Sequence, residues 1–228
     1  MLISILIPTY NEAENIEDVL KRTILVLSAA SIDYEILVID DASADNTALI
    51  AEGVLGSKGR VIRRAAEDRS LSKSVLDGIK EAKGDAVVVM DADLSHPPEL
   101  IPEFVKQLNQ GYDLVIASRY VPGGGVKDFP LSRQLISRFA CLIGRLVTRV
   151  KDNTAGFFSI RKSALEGVLL TPRGFKIGLE IFVKADYKKF KEIPYVFIDR
   201  KKGTSKLKSK QVIQYLVQVF SLLKYKKC

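Results

Sequence analysis

Short apolar runs alternate with amphipathic segments through the first half of the chain. Residues 2–7, 34–39 and 87–90 are rich in Ile, Leu and Val, which is typical of strands buried on both faces. The segments between such runs repeat apolar positions with the period of an α-helix, as in residues 16–27 and 71–82. Strands that alternate with helices predict a mostly parallel α/β sheet, because parallel strands need a crossover connection.

The pattern changes after residue 118. Residues 120–130 contain three consecutive glycines and two prolines, which predicts a long loop. Beyond this loop the pattern predicts a helix, a short strand, a second helix, a second short strand and a final helix, over residues 132–149, 157–160, 175–186, 195–198 and 212–223. The first and last of these helices have a broad apolar face bordered by Arg or Lys, so each could pack on its own domain, on another chain or on a lipid surface.

The composition indicates a globular protein. The chain has 228 residues, of which 47% are hydrophobic, enough for a sizeable core. Its two cysteines, Cys141 and Cys228, form neither a disulfide framework nor a zinc motif, and we expect a reducing compartment. The first residues run straight into a strand pattern, so the sequence predicts no signal peptide. No run of about 18 uninterrupted apolar residues is present, so it predicts no membrane-spanning segment.

The net charge of +8 is unevenly distributed. Residues 184–228 contain 13 of the 35 Lys and Arg but 3 of the 27 Asp and Glu, so this segment is strongly basic and the remainder is close to neutral. Such a segment fits nucleic acid, an anionic membrane surface or a phosphorylated substrate, and composition alone does not choose among the three.

Three polar clusters follow predicted strands at their carboxyl ends, in residues 10–12, 40–45 and 91–95. The carboxyl ends of parallel strands share one edge of a sheet, where α/β proteins bind nucleotides. Asp91 and Asp93 would repel each other there, and a hard divalent cation such as Mg²⁺ or Mn²⁺ would relieve the repulsion. Each cluster alone also fits ordinary turn and helix-cap chemistry, but the three together favour a nucleotide and metal site.

The sequence contains no obvious pair of nucleophile and base. The single histidine, His96, precedes two prolines and is expected to order that turn. A phosphate oxygen that attacks as an anion needs no general base, but it needs cations. Arg119 and Arg200 are the best candidates for holding phosphate, whereas Lys201 and Lys202 fit a solvated basic run.

In these residues the chain resembles the inverting GT-A glycosyltransferases of family 2, and within them the dolichyl-phosphate mannose synthases. The matching positions are residues 7–12, 40–45, 90–94, 96–99 and 117–120, then Arg133, Ser137, Asp152, residues 156–158 and 174–176, Glu180, Arg200, Gly203 and residues 205–207. The match covers nearly the whole chain in order. It implies a GT-A catalytic domain over residues 1–207 and a basic amphipathic helix over residues 208–228, which could lie at a membrane interface.

The resemblance implies transfer of mannose from GDP-mannose to dolichyl or other polyprenyl phosphate, with inversion. It implies that the donor is bound by Pro8, Tyr10, Glu12, Ile39, Asp41, Asp91, Ala92 and Asp93. It implies a Mg²⁺ or Mn²⁺ site at Asp91, Asp93 and Ser95, where Ser95 replaces the usual Gln of the family. It implies that the acceptor phosphate is bound by Arg119, Arg133, Ser137, Arg200 and Lys206. The expected catalytic set is Asp91, Asp93, Arg119 and Arg200.

The resemblance also implies a peripheral protein on the cytoplasmic face of a membrane, bound directly or through a membrane-anchoring partner subunit. The nearest alternative is the same reaction with another donor, such as UDP-glucose, because sugar selection depends on few contacts. A phosphoacceptor domain would explain Asp40 and Asp41 but would be about half this length. A basic nucleic-acid or membrane binding protein is the other alternative; we expect no nucleic-acid partner, because residues 200–210 contain no aromatic side chain between the basic ones.

Overall fold

A central seven-stranded sheet organises the fold. The structure is a computed structural model that describes residues 1–127, 130–171, 176–198 and 209–225. The strands are β1 (Ile3–Thr9), β2 (Tyr34–Asp40), β3 (Gly59–Arg63), β4 (Ala86–Val89), β5 (Leu114–Ser118), β6 (Gly125–Lys127), β7 (Phe158–Arg161), β8 (Phe190–Pro194) and β9 (Val196–Ile198). The α-helices are α1 (Ile16–Ala29), α2 (Thr47–Leu55), α3 (Leu71–Glu81), α4 (Ile101–Asn109), α5 (Leu131–Gly144), α6 (Ile177–Lys184) and α7 (Ser209–Tyr225).

The strand order in the large sheet is β3-β2-β1-β4-β7-β5-β8, and β6 pairs with β9 in a separate small sheet. All neighbours in the large sheet are parallel except β7, which runs antiparallel to both β4 and β5. The carboxyl ends of the parallel strands therefore meet the amino end of β7 at one edge. The predicted mostly parallel α/β sheet is confirmed.

Helices cover both faces of the sheet, which explains why its central strands are mostly apolar. On one face, alternate residues of β1 such as Ile5 pack with α1, α2 and α4 in one core cluster. On the other face, Leu6 packs with α3 and α6 in a second cluster. Every residue of β1 and β4 is buried, as expected for parallel strands between two helical layers.

The second half of the chain differs in detail from the sequence-based prediction. The predicted helix over residues 132–149 ends early, at Gly144. A Cβ atom on Gly144 would lie 2.2 Å from Asn153 Oδ1 and 2.6 Å from the Tyr215 hydroxyl, so these contacts require glycine. Strands β6 and β8 were not predicted, because both are short and at most partly apolar.

Helix α7 packs against the domain through one face. Tyr215, Val219 and Leu222 are buried in a third core cluster that also contains Val147 and Leu179. The predicted boundary between residues 207 and 208 lies outside the described residues. Among the described helices, none has both the length and the apolar character needed to span a bilayer.

Candidate active site

The loops after β1, β2 and β4 each contain a residue other than glycine with a positive φ angle. These residues are Asn11 (54°), Ala42 (56°) and Leu94 (62°). Such backbone costs free energy and tends to occur at functional sites, where the surrounding structure holds it. Here the first two loops are tied together, because Asn11 N donates to Ser43 Oγ (2.9 Å) and Ala44 N donates to Asn11 Oδ1 (3.0 Å).

Two carboxylates of the second polar cluster order these loops. Asp40 accepts hydrogen bonds from Ser43 N (3.0 Å) and Ser43 Oγ (2.6 Å). Asp45 accepts from Ala13 N (3.0 Å) and from the Thr47 hydroxyl. Burial raises the pKa of Asp45, but the hydrogen bonds from Thr47 and Ala13 outweigh it and hold the pKa below its usual value. Asp40 and Asp45 therefore act as turn residues.

Asp41 and Tyr10, two predicted donor-binding residues, are each held by an arginine that the sequence analysis missed. Asp41 forms a buried ion pair with Arg64 and also accepts from Ser70 N (3.1 Å). The Arg69 guanidinium lies 4.0 Å from the centroid of the Tyr10 ring and donates to the Tyr10 hydroxyl (3.0 Å) and the Asp41 carbonyl (3.1 Å). Both arginines lie in a charged stretch that resembles an ordinary surface segment in sequence.

The other predicted donor residues lie near this edge in different environments. Pro8 borders a cavity of about 340 Å³ that opens at the carboxyl edge of the sheet. Ile39 and Ala92 are buried, and Glu12 accepts a hydrogen bond from Asn15 Nδ2 (3.0 Å).

The same cavity contains both acidic and basic side chains. Asp91, Asp93 and Ser95 border it from the loop after β4. The second half of the chain contributes the polar side chains of Arg119, Arg133, Ser137 and Lys176. It also contributes an apolar wall formed by Ile136, Phe139 and Ile143. The structure thus brings the predicted metal residues together with three of the five predicted acceptor-phosphate residues.

Asp91 and Asp93 fit a hard divalent cation. The Asp91 side chain is 42% exposed, and Asp93 Oδ1 is oriented by Ser95, whose backbone N (3.1 Å) and hydroxyl both donate to it. A Cβ atom on Gly156 would lie 3.3 Å from His96 Cε1 and 3.8 Å from Asp91 Oδ2, so glycine avoids crowding the His96 ring beside this carboxylate. The described residues contain no group of three or more metal-binding side chains. Two carboxylates suit Mg²⁺ or Mn²⁺ all the same, since these ions also bind substrate phosphates and water.

The described histidine and cysteine are not placed as catalytic bases or nucleophiles. His96 Nδ1 accepts a hydrogen bond from Asp91 N (2.9 Å), and its ring stacks on Phe157 at 5.0 Å. This confirms that His96 orders its turn. Cys141 is buried, and burial raises the pKa of its thiol, which disfavours a reactive thiolate. Cys228 lies outside the described residues.

Two cations at the cavity are anchored on the turn before β7. Arg119 donates to Asp152 through Nε and Nη2, both at 2.7 Å, and to Thr154 Oγ1 at 2.8 Å. Burial lowers the pKa of Arg119, but the Asp152 carboxylate more than compensates and raises it. Lys176 donates to the Thr154 carbonyl (2.9 Å), and burial lowers the pKa of its ammonium group to about 8. Lys176 lies in the matching segment 174–176, but the sequence analysis assigned it no role in the site.

The remaining acceptor-phosphate predictions divide into two groups. Arg133 and Ser137 of α5 border the cavity, and Ser137 Oγ lies 2.8 Å from the hydroxyl of Tyr120, which donates to it. Arg200 and Lys206 lie outside the described residues, so their roles stay predictions.

Comparison with known proteins identifies the family. The family model described as glycosyl transferase family 2 matches residues 4–169, which is most of the chain. The chain belongs to glycosyl transferase family 2. This family 2 chain is 46% identical over 231 residues to the dolichol-phosphate mannosyltransferase of Pyrococcus furiosus, a match that covers 99% of the chain and 64% of that protein. It therefore spans less than two thirds of the length of the Pyrococcus protein.

A second relative of this family 2 chain is the dolichol-phosphate mannosyltransferase of Saccharomyces cerevisiae. The two are 36% identical over 235 residues, which covers 98% of the chain and 87% of the yeast protein. Among solved structures, glucosyl-3-phosphoglycerate synthase from Mycobacterium tuberculosis, in complex with Mn²⁺, UDP and glucosyl-3-phosphoglycerate, superimposes with a TM-score of 0.68 at 20% identity, covering 97% of this chain and 78% of that one. The predicted family, glycosyltransferase class and GT-A-like fold are confirmed.

Proposed function

We propose that this glycosyltransferase moves mannose from GDP-mannose to dolichyl or another polyprenyl phosphate, with inversion at the anomeric carbon. The observation that carries the proposal is that Asp91 and Asp93 border the same cavity as Arg119, Arg133 and Lys176. Such a cavity can hold a cation-bound diphosphate beside a second, anionic phosphate. The names of the two dolichol-phosphate mannosyltransferases support mannose and dolichyl phosphate as the sugar and the acceptor.

On the donor side, we assign the nucleoside to the loops after β1 and β2. Pro8, Tyr10, Glu12, Ile39 and Asp41 would bind guanosine, with Ala92, Asp91 and Asp93 next to the diphosphate. Mg²⁺ or Mn²⁺ held by Asp91 and Asp93 would supply positive charge to the departing GDP. The Mn²⁺ in the solved synthase of similar fold agrees with this assignment. Ser95 would act by orienting Asp93, to which it is hydrogen bonded.

On the acceptor side, we assign the lipid phosphate to Arg119, Arg133 and Ser137, and on sequence grounds to Arg200 and Lys206. A phosphate oxygen is already anionic at neutral pH, so the attack needs no side chain to remove a proton. This agrees with His96, whose Nδ1 is occupied by the Asp91 amide. The cations would bring the attacking oxygen to the anomeric carbon and offset the repulsion between two phosphates.

We further propose that the protein lies at the cytoplasmic face of a membrane, directly or through an anchoring partner subunit. Helix α5 exposes a row of large apolar side chains that continues just past its end, with exposed fractions of 60% or more at Leu131, Leu135, Phe139 and Leu142 of the helix and at Leu146 after it. Helix α7 adds Ile213, Val217 and Phe220. An apolar surface of this kind beside the cavity suits a lipid acceptor. We therefore assign catalysis to residues 1–207, with α5 also contributing to interfacial contact, and interfacial contact to residues 208–228.

The test is a transfer assay with purified protein and dolichyl phosphate in detergent. Radiolabelled GDP-mannose, GDP-glucose, UDP-glucose and UDP-N-acetylglucosamine are compared as donors, and each reaction is repeated with excess EDTA and then with added Mg²⁺ or Mn²⁺. We expect labelled lipid from GDP-mannose alone, lost in EDTA and restored by metal. Transfer from UDP-glucose alone would refute GDP-mannose as the donor, and full activity in EDTA would refute the requirement for a metal ion.

A further inference from the structure

Asp152 is a fully buried carboxylate that contacts Arg119 at three points. It accepts from the Arg119 backbone N (2.9 Å), from Nε (2.7 Å) and from Nη2 (2.7 Å). The exposed fraction of the Asp152 side chain is 0%, and that of Arg119 is 10%. Burial raises the pKa of Asp152, but the hydrogen bonds and charge of Arg119 outweigh it, so its pKa lies below the usual range and the pair is ionised. The pair therefore fixes both the backbone and the tip of Arg119.

The hydrogen bonds of Arg119 are all on one side of its guanidinium. An arginine side chain has five N–H donors in a planar fork. Nε donates to Asp152, and Nη2 donates to Asp152 and to Thr154 Oγ1. Within the described part of the chain, no hydrogen bond from Nη1 is present. Since Arg119 also borders the cavity, Nη1 is the part of the side chain left for a ligand.

Asp152 is itself anchored to the sheet. Its backbone N donates to Glu192 Oε1 (3.0 Å), and Lys151 N donates to Glu192 Oε2 (2.9 Å). Glu192 belongs to β8, which pairs with β5, the strand that ends just before Arg119. The carboxylate that holds Arg119 is thus fixed by the strand next to the one that carries Arg119.

We infer that Asp152 is a positioning residue, which holds Arg119 so that Nη1 faces a phosphate group in the cavity. Identifying that phosphate as the polyprenyl phosphate rests on the proposed function. A bidentate carboxylate partner fixes the plane of a guanidinium as well as its position, which a single hydrogen bond would not. The ligand class that this arrangement selects is a phosphate oxyanion.

The first experiment compares Asp152→Asn with a matched control, Asp113→Asn. Asp113 lies at the opposite end of β5, 3.8 Å from Arg161, and is also an aspartate beside an arginine. We expect Asp152→Asn to raise the KM for dolichyl phosphate at least tenfold, with a smaller change in the KM for GDP-mannose. Asp113→Asn is expected to change both within twofold. Equal effects of the two variants, or an unchanged KM in folded Asp152→Asn, would overturn the inference.

A double-mutant cycle separates positioning from general stabilisation. If Asp152 acts only through Arg119, then Asp152→Asn changes the acceptor KM by less than twofold in an Arg119→Gln background. A general structural role predicts the same loss in both backgrounds and would refute the inference. If Asp152→Asn does not fold, Asp152→Glu replaces it in the experiment, because it keeps the charge but moves the carboxylate by one methylene. The inference then requires Asp152→Glu to raise the KM for dolichyl phosphate tenfold.

A binding measurement makes the inference independent of the transfer reaction. Inorganic pyrophosphate is titrated calorimetrically into the wild-type protein, Asp152→Asn and Asp113→Asn, without metal. We expect pyrophosphate to bind at least tenfold more weakly to Asp152→Asn than to the wild type, and to bind Asp113→Asn as it binds the wild type. If the wild type transfers no mannose but shows this pattern, the proposed function fails and the positioning role stands. If the wild type transfers mannose and the variants bind equally, the positioning role fails.

Discussion

The apolar surface of α5 gives the most quantitative prediction. Leu135 and Leu142 are seven residues apart on this helix, with exposed fractions of 65% and 60%. We predict that changing both to serine weakens binding to lipid vesicles without unfolding the protein, because neither side chain contributes to the buried core. Leu25 and Leu49, on α1 and α2, have exposed fractions of 69% and 58% and provide a control pair of the same residue type.

The expected size of the effect follows from these exposed fractions. Complete burial of a leucine side chain is worth about 1.5–3 kcal/mol. With some three fifths of each side chain available, each leucine of the α5 pair would contribute about 1–2 kcal/mol in the interface, or about 2–4 kcal/mol for both. Because about 1.4 kcal/mol corresponds to a factor of ten, the double variant should bind vesicles between roughly 30-fold and several hundred-fold more weakly.

The assay is cosedimentation with vesicles of phosphatidylcholine and phosphatidylglycerol at several lipid concentrations. We expect the Leu135→Ser, Leu142→Ser protein to show the large loss, and the Leu25→Ser, Leu49→Ser protein to bind as the wild type does. Thermal unfolding checks that both remain folded. Similar losses in the two proteins, or no loss in either, would refute the assignment of α5 to the membrane surface.

Three further predictions concern the site and its supports. Asp93→Ala should reduce transfer at least about 100-fold while the circular dichroism spectrum stays unchanged, as expected for loss of a metal ligand; wild-type turnover would contradict this. Arg64→Gln should lower the free energy of unfolding by about 3–5 kcal/mol, because it leaves buried Asp41 without its partner, whereas Arg63→Gln breaks an exposed pair and should cost at most about 1 kcal/mol in urea titrations. Tyr215→Phe should cost about 1–2 kcal/mol at pH 7, because its buried hydroxyl donates a hydrogen bond. Burial raises the pKa of Tyr215 in the folded protein, so the tyrosine hydroxyl contributes fully to stability below pH 10 and this contribution is lost above pH 10, as the hydroxyl ionises in the unfolded state. From pH 10 to 11, the free energy of unfolding of Tyr215→Phe should therefore fall less steeply than that of the wild type.

The sequence was most informative where burial is complete. The strands before Tyr10, Asp41 and Asp91 are largely buried, so their sequences are rich in apolar residues and their ends are visible as a switch to polar residues. Once the crossover rule makes these strands parallel, their ends must share an edge. The edge of the sheet that carries the proposed donor site could therefore be located from the pattern alone.

Elements that depend on contacts distant in sequence could not be predicted in the same way. Periodicity carries no information about strand direction, so the antiparallel course of β7 was not apparent. The pairing of Arg119 with Asp152 joins residues 33 positions apart, and no local signal marks it. Arg64 and Arg69 look like solvent-exposed charges because the groups they contact, Asp41 and Tyr10, lie on other elements.

Because β7 runs in the reverse direction, the residues proposed to bind the two substrates come from different halves of the chain. The amino end of β7 lies at the edge of the sheet where the parallel strands end. The segment before β7 therefore brings Asp152 and Gly156 to the site. The residues proposed for the nucleotide all come before position 100, and those proposed for the lipid phosphate all come after position 118. During evolution, an enzyme with this arrangement could acquire a new acceptor by exchanging its second half while its nucleotide-binding half stays intact.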